Sequence, residues 1–427
     1  MTERVVIVGG GVTGLAAAGF LADRADCVLL ERESEVGGYC RTIYRDGFTW
    51  DYSGHFFHFK NKWVADRLHS RMRADEIHLV TKIARIYFRG QYVDFPFQLN
   101  IDQLPKADFL RCLAEMYSVS QTRRTTYASF QDMVYARYGK SIAEFFLIPY
   151  TEKLYATPAS RLDPDAMGRF FPHVDFSTLI SSMEKKVAHP TYNDTFAYHP
   201  RGAKAYVEAL TSYVPPNVIH TGIACEEIDL GRQIVHAGGR KYRYDRLIIS
   251  APLPQVLRMA SVPYDPSAYT ANKVLVLNLG FDRPSTRPDH WVYYPEPEWI
   301  FYRVGHYDNI LGQRQMSLYV EIAMPSEAPV DEEWYRMRAL NDLRRCGVVL
   351  DHRLVSWSAV VMNPAYVHIS RTSNEASRHV RAFLRNKNTY AIGRYGEWIY
   401  CSIEDNIVAA SELTRNWTGE LSRREAT

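Results

Sequence analysis

The sequence predicts an α/β fold: a discontinuous Rossmann-like dinucleotide-binding domain with a helical insertion and an antiparallel β-sheet insertion. Three observations predict it. An apolar strand runs straight into a glycine-rich turn between Val5 and Gly14. Apolar residues at helical spacing occupy the stretch from Lys106 to about 190. Alternating residues then recur over 273–280, 291–304 and 316–323. Periods of 3.6 and 2 are what separate helix from strand. At about 150 residues per domain, 427 residues make two to three such units.

The first unit reads Val5-Val6-Ile7-Val8, then Gly9, Gly11 and Gly14 in G-x-G-x-x-G spacing, then the small residues Leu15-Ala16-Ala17-Ala18. A second strand, Cys27–Leu30, ends at Glu31. Gly9 permits the tight turn, Gly11 lets a pyrophosphate approach the backbone, and Gly14 lets helix pack on strand. Free amides at the helix start then hold the diphosphate, and Glu31 is placed to accept from ribose hydroxyls. NAD and FAD share this unit. The following segments, Gly37-Gly38 through Thr42 and Trp50 through Gly54-His55-Phe56-Phe57, favour the longer flavin dinucleotide. A glycine followed by an imidazole among aromatics suits the edge of an isoalloxazine ring.

Further along, residues 79–104 alternate like strands around a turn at Arg89-Gly90. Phe109, Leu110, Leu113 and Met116 fit a helix, and the runs 130–138 and 142–147 extend that region. Residues 218–250 return to strands, and Asp245 to Pro252 suits a strand rejoining the first sheet. Ile407–Leu413 reads as a closing helix, and Arg423–Thr427 as a solvated tail. The expected division is 1–78, 196–258 and 385–427 for the FAD-binding domain, 105–195 for the helical domain, and 79–104 with 259–384 for the sheet domain.

Composition excludes several classes. Apolar residues are 46% and charged residues 23% of the chain, as in globular proteins rather than disordered or membrane-embedded ones. With 51 basic and 48 acidic residues, the charge is too balanced to argue for a nucleic-acid partner. The six cysteines lie far apart without a CxxC pair, which disfavours a zinc site or a disulfide scaffold. No membrane partner, no metal and a cytoplasmic location are the resulting expectations; a homo-oligomer is compatible with the chain. The 29 tyrosines hint at a polar, ring-shaped ligand, because a phenol both stacks and donates.

These motifs together resemble the UDP-galactopyranose mutase family, flavoproteins that interconvert pyranose and furanose forms of a nucleotide sugar. Gly37, Gly38 and Thr42 followed by Asp51, Gly54 and His55 match the family's G-G-x-x-x-T and D-x-x-G-H. Gly90–Asn100, Pro149–Pro158, Trp291–Glu296, Phe301-Tyr302-Arg303 and Gly393–Tyr400 match further segments, on the branch shared with fungal and protozoan members. Tyr155 replaces the usual Trp. The C-terminus has the bacterial length, with Ser402 where bacterial members carry an acid.

The resemblance implies FAD that works when reduced, with NADPH or NADH as reductant, and a nucleotide-sugar substrate. Reduced flavin then supplies the nucleophile through N5, so no Ser-His-Asp constellation is needed. By the same resemblance His55, Arg169, Arg303 and Arg394 are catalytic. Arg169 and Arg303 hold the substrate diphosphate, because an arginine fork pairs with phosphate oxygens. Phe95, Phe97, Gln98, Tyr155, Asn193, Trp291, Tyr293, Tyr366 and Tyr400 are expected around the substrate. Gly9, Gly11, Gly14, Glu31, Gly37, Gly38, Thr42, Gly54, His55, Gly393, Arg394, Asp405 and Asn406 are expected around the cofactor. Two rivals stand beside this reading: a redox enzyme of the amine-oxidase and desaturase-like flavoprotein group, and a flavin-binding protein that no longer turns over.

Overall fold

Four apolar residues in a row suit a strand covered on both faces, and Arg4–Val8 is one. The computed structural model describes residues 2–122, 124–185 and 194–424, and of Arg169, Lys185, Asn416 and 418–424 the backbone alone. Arg4–Val8 lies at the centre of a five-stranded parallel sheet. Asp26–Leu30 and Ile219–His220 flank it on one side, Arg246–Ile249 and Thr389–Ala391 on the other. Val5 and Ile7 pack with Leu15, Ala17 and Leu21 of helix Val12–Leu21 and with Ile407 and Ala410 of helix Ile403–Arg424. Val6 and Val8 face the opposite core.

The second core region is helical: Lys106–Ser120, Phe130–Ile142, Ile148–Tyr155 and Phe176–Lys185. The Ser129 side chain accepts from the Asp132 amide and so caps the second of these.

Seven strands form the large sheet, in the order Leu354–Met362, Asn272–Phe281, Ser317–Pro325, Arg303–His306, Trp291–Tyr293, Ala84–Phe88, Gln91–Asp94. Neighbours run antiparallel except for the parallel join of Trp291–Tyr293 to Ala84–Phe88. Alternation along Ser317–Pro325 sends Leu318, Val320 and Ile322 to an outer core that includes Ala339 and Leu343 of helix Glu332–Arg345. Tyr319 joins the inner core, and Glu321 shares that face by the same period of two.

Two expectations are corrected here. The alternating run 291–304 is not one strand: the chain leaves the sheet between Tyr293 and Arg303. Pro295 and Pro297 lack ladder donors, and the Lys153 ammonium takes up the carbonyls of Tyr294, Glu296, Trp299 and Phe301. The closing helix begins at Ile403 rather than Ile407, because Ser402 and Asp405 exchange hydrogen bonds across its first turn. Arg423 and Arg424 belong to that helix, and 425–427 lie outside the described residues. Among the described residues no helix is long and apolar enough to cross a membrane.

Candidate functional site

The glycine turn is shaped by contact. Gly9 has φ +105, and a Cβ there would lie 2.5 Å from Ser250 Oγ. A Cβ on Gly14 would lie 1.9 Å from the Gly9 carbonyl oxygen, which is how close the helix packs on the turn. Gly11 differs: its Cβ would meet nothing nearer than Gly38 Cα at 4.0 Å. It precedes helix Val12–Leu21, whose start has no side-chain cap and no acidic residue. An uncapped helix start facing open space is a place for an anion.

The loop opposite is tied down by Gly37 N donating to Gly10 O at 2.8 Å. Glu31 accepts from Gly10 N at 2.7 Å and Glu33 N at 2.9 Å, so its first task is to fix the turn. Asn406 Oδ1 accepts from Thr13 Oγ1 at 2.7 Å and from Arg394 N at 2.9 Å, bringing the C-terminal segment onto the same cradle.

From this cradle a cavity of about 970 Å³ runs to the helical region. Its lining includes Gly9, Gly11, Glu31, Gly37, Gly38, Gly54, His55, Arg394 and Asn406 at one end and through the middle. Phe95, Gln98, Trp291, Tyr293, Arg303, Tyr366 and Tyr400 line the rest. A buried edge of His55, its Nδ1, has no protein partner, while its backbone amide donates to Ser53 O at 2.7 Å. Burial pushes the imidazole down to about 4, so the ring is neutral at working pH. The open floor at Gly11, the uncapped helix start and the unpartnered His55 nitrogen fit a dinucleotide with a polar ring system at its end.

Two cations face the middle of the cavity. Arg303 donates through Nε and Nη2 to the two oxygens of Glu321, at 2.5 and 2.7 Å. The same carboxylate accepts from Ser53 Oγ, on the loop that carries Gly54 and His55. Burial opposes ionisation of Glu321, but the Arg303 guanidinium outweighs it and holds the carboxyl below its usual range. Arg394 donates to the carbonyls of Cys401 at 3.2 Å and Ala365 at 3.3 Å, and its guanidinium carbon lies 4.8 Å from the Tyr400 ring centre. Three phenols close the cage: Tyr150, Tyr293 and Tyr366. Burial pushes each of them up, so all are neutral donors.

At the far end Gln98 is fully buried, with Nε2 donating to Pro172 O at 2.6 Å and Oε1 unpartnered. The Phe95 ring lies 5.2 Å from Tyr293, and the Lys82 ammonium 5.1 Å from Phe95.

Other predicted residues stand behind the wall. Phe97 packs between Phe88 and Phe146. Tyr155 is 0% exposed and packs edge-on against Tyr366 at 5.6 Å, so it supports a wall residue. Thr42 donates to Asp51 at 2.6 Å, and a Cβ on Gly393 would lie 2.4 Å from Thr13 Oγ1; with Gly14 these shape the cradle from behind. Asp405 caps the closing helix through Ser402. Arg169 lies in the turn Gly168–Phe170, between the lining residues Met167 and Phe170. Asn193 lies outside the described residues. Among the described residues no group of three His, Cys, Asp or Glu could hold a metal ion. Glu321 and Tyr150 escaped the sequence reading. A lone Glu inside the apolar run Ser317–Pro325 was the signal for the first.

The sequence profile described as flavin containing amine oxidoreductase matches residues 12–333, well over half of the chain. The chain belongs to this family. The chain is similar over 50 residues to two curated relatives. They are a zeta-carotene-forming phytoene desaturase of Myxococcus xanthus (49% identical, 12% of this chain) and a carotenoid 3,4-desaturase of Haloarcula japonica (48% identical, 12% of this chain). Each match spans 10% of the relative's length. In fold the chain is similar to a reduced UDP-galactopyranose mutase, with TM-score 0.90 and 23% identity over 98% of this chain and 94% of that one. Cyclohexylamine oxidase from Brevibacterium oxydans gives TM-score 0.72 and 12% identity over 99% and 100%. The mutase fold expected from the sequence is therefore the fold observed.

The family is a flavin-containing one, and the expectation that this cradle holds the flavin has a direct test. Gly11 has φ −73, a value any residue adopts. Gly11→Val therefore adds a side chain to the open floor without backbone strain. Flavin should fall from one per chain to near zero, with the far-ultraviolet circular dichroism unchanged; a yellow variant would refute the placement.

Acid should also act through the site. His55 and His58 both titrate near 4 in the folded chain because burial disfavours their charged forms. The unfolded chain binds protons near 6.5, so it binds more of them between 6.5 and 4, and stability falls as pH drops through that window. His55→Asn should flatten part of this slope in thermal melts; an unchanged slope would remove His55 as a contributor.

Proposed function

We propose that this flavoprotein is an FAD-dependent nucleotide-sugar mutase that interconverts pyranose and furanose forms, UDP-galactopyranose and UDP-galactofuranose or a related pair. The observation that carries the proposal is the pairing of half-buried, permanently charged Arg303 and Arg394 with a cage of protonated tyrosines lining the cavity. An amine or hydrocarbon substrate has no use for such cations, whereas a departing diphosphate needs them. The similarity to the mutase structure supports the same reading.

In this reading Gly9, Gly11, Gly37, Gly38 and Asn406 hold the FAD. When bound and reduced, it supplies the nucleophile for the anomeric carbon. The chain's own residues do the rest. Arg303, anchored by Glu321, turns its remaining N–H groups toward the diphosphate, and Arg169 is assigned to the other side. Tyr293, Tyr366 and Tyr400 donate to the same oxygens, keeping the leaving group close enough to return. His55, neutral, offers Nδ1 to the ring system. Phe95 stacks on the base, and Gln98, oriented by Pro172, presents an acceptor to a base N–H. Closure within the cavity keeps water from the anomeric carbon.

The test is incubation of dithionite-reduced protein with UDP-, GDP- and dTDP-hexoses, with furanose products sought by chromatography. A furanose from one of them supports the proposal. Oxidation of an amine or hydrocarbon, with none of the sugars converted, would replace it by the oxidoreductase reading.

A further inference from the structure

Lys153 is half-buried in helix Ile148–Tyr155, yet its ammonium pairs with no carboxylate among the described residues. Instead it donates to four backbone carbonyls: Tyr294 at 2.8 Å, Glu296 at 2.9 Å, Trp299 at 2.8 Å and Phe301 at 2.7 Å. All four belong to the connection between strands Trp291–Tyr293 and Arg303–His306. An ammonium has three N–H groups, so at least one is shared between two oxygens. Buried carbonyls outside a sheet ladder need partners, and here one side chain serves four of them.

The connection lies between two residues that line the cavity. Tyr293 and Arg303 are opposite one another in the antiparallel pair, at the point where the strands part. The helix carrying Lys153 also presents Tyr150, Thr151 and Leu154 to the cavity, and the Tyr150 and Tyr293 rings lie 5.0 Å apart. Lys153 therefore ties the helical wall to the wall that carries the cation, from behind both, while residues 294–301 themselves line no part of the cavity.

We infer that Lys153 is a positioning residue, which sets Arg303 and Tyr293 against the substrate diphosphate by gathering the 294–301 connection. The inference rests on the nucleotide-sugar reading for its ligand. A compact, fourfold-bound cation is a means of holding an irregular loop that no carboxylate could supply. It also explains why the helix and this connection, more than 100 residues apart in sequence, meet at a fixed spacing. Burial lowers the ammonium toward about 7, with Glu298, Glu296 and Asp342 opposing the shift. Arg338 and Arg345 pair with Asp342 on the helix packed outside.

The experiment is a double-mutant cycle on the FAD-loaded protein. Lys153→Met and Lys153→Gln are each made alone and together with Arg303→Ala, and UDP is titrated into all of them. Expected is a rise of about tenfold in the UDP dissociation constant for the single Lys153 variants with flavin content unchanged. In the Arg303→Ala background the rise should be less than about twofold, because coupled residues are not additive. An equal rise in both backgrounds, or none in either, overturns the inference. Amide hydrogen exchange of the wild-type holoenzyme gives a second reading that needs no variant. By reciprocity, UDP should protect the amides of 294–301 although these do not touch the cavity; indifference of that peptide to UDP also overturns it. Wild-type protein that binds no UDP at all fails the nucleotide-sugar reading itself, and is distinguished by that control.

Discussion

Arg303→Ala should lose both its affinity for UDP and part of its resistance to unfolding, with flavin still bound. Glu321 is fully buried, and Arg303 supplies two of its hydrogen bonds. Removing one member of a buried ion pair leaves an uncompensated charge at a cost of about 3–5 kcal/mol. Losing the contact to a diphosphate costs about 1.5–3 kcal/mol more in binding, which is on the order of tenfold to a hundredfold in kcat/KM. The two losses can be separated. Arg303→Met combined with Glu321→Gln removes the stranded charge, so thermal stability should recover toward wild type while UDP binding stays lost. Arg303→Lys should restore neither fully, because an ammonium cannot engage carboxylate and phosphate with one planar fork. Arg169→Ala, measured by the same titration, tests the second cation. If the double variant bound UDP as tightly as wild type, the diphosphate would have to sit elsewhere.

Turnover should require reduced flavin yet consume no electrons over the cycle. Isomerisation is redox-neutral, while an oxidised flavin is an electron acceptor and cannot act as the nucleophile. The geometry asked of the site is a near-attack distance of about 3–3.5 Å between nucleophile and anomeric carbon, with the diphosphate departing toward Arg303. Under anaerobic conditions a trace of dithionite, NADPH or NADH should then support many product molecules per reducing equivalent. The oxidoreductase reading predicts the reverse: oxidised protein works, and every product consumes an acceptor. The ratio of product to reductant is the measurement, and a fixed ratio of one would end the mutase proposal.

What the sequence discloses is what is local. Gly9, Gly11 and Gly14 declare a turn, an open floor and a close packing within six residues, and the structure reproduces each as a contact or a space. Arg303 and Tyr293 stand in short motifs and line the cavity. Glu321 could not be read in this way. Its side-chain partners Ser53 and Arg303 lie 268 and 18 residues away; the antiparallel register of two strands sets Arg303 opposite it, and the loop after strand Phe48–Asp51 brings Ser53 to the same carboxylate. Tyr155 shows the converse: its motif is local, but the helix turns that side chain into the core behind Tyr366. The run 291–304 read as a strand because alternation is visible in sequence, whereas an ammonium arriving from residue 153 is not.

The parallel sheet beneath the cofactor cradle takes its strands from both ends of the chain, residues 4–8 and 389–391 among them. Asn406, which clamps Thr13, comes later still. At about 5–20 residues per second, a ribosome needs about 20–80 s between exposing the glycine turn and exposing the residues that close it. The nascent chain therefore carries an unfinished half-site through most of its synthesis, with the helical and seven-stranded regions made in the interval. The cradle is thus finished late, and a flavin that needs both halves of it must wait for Asn406.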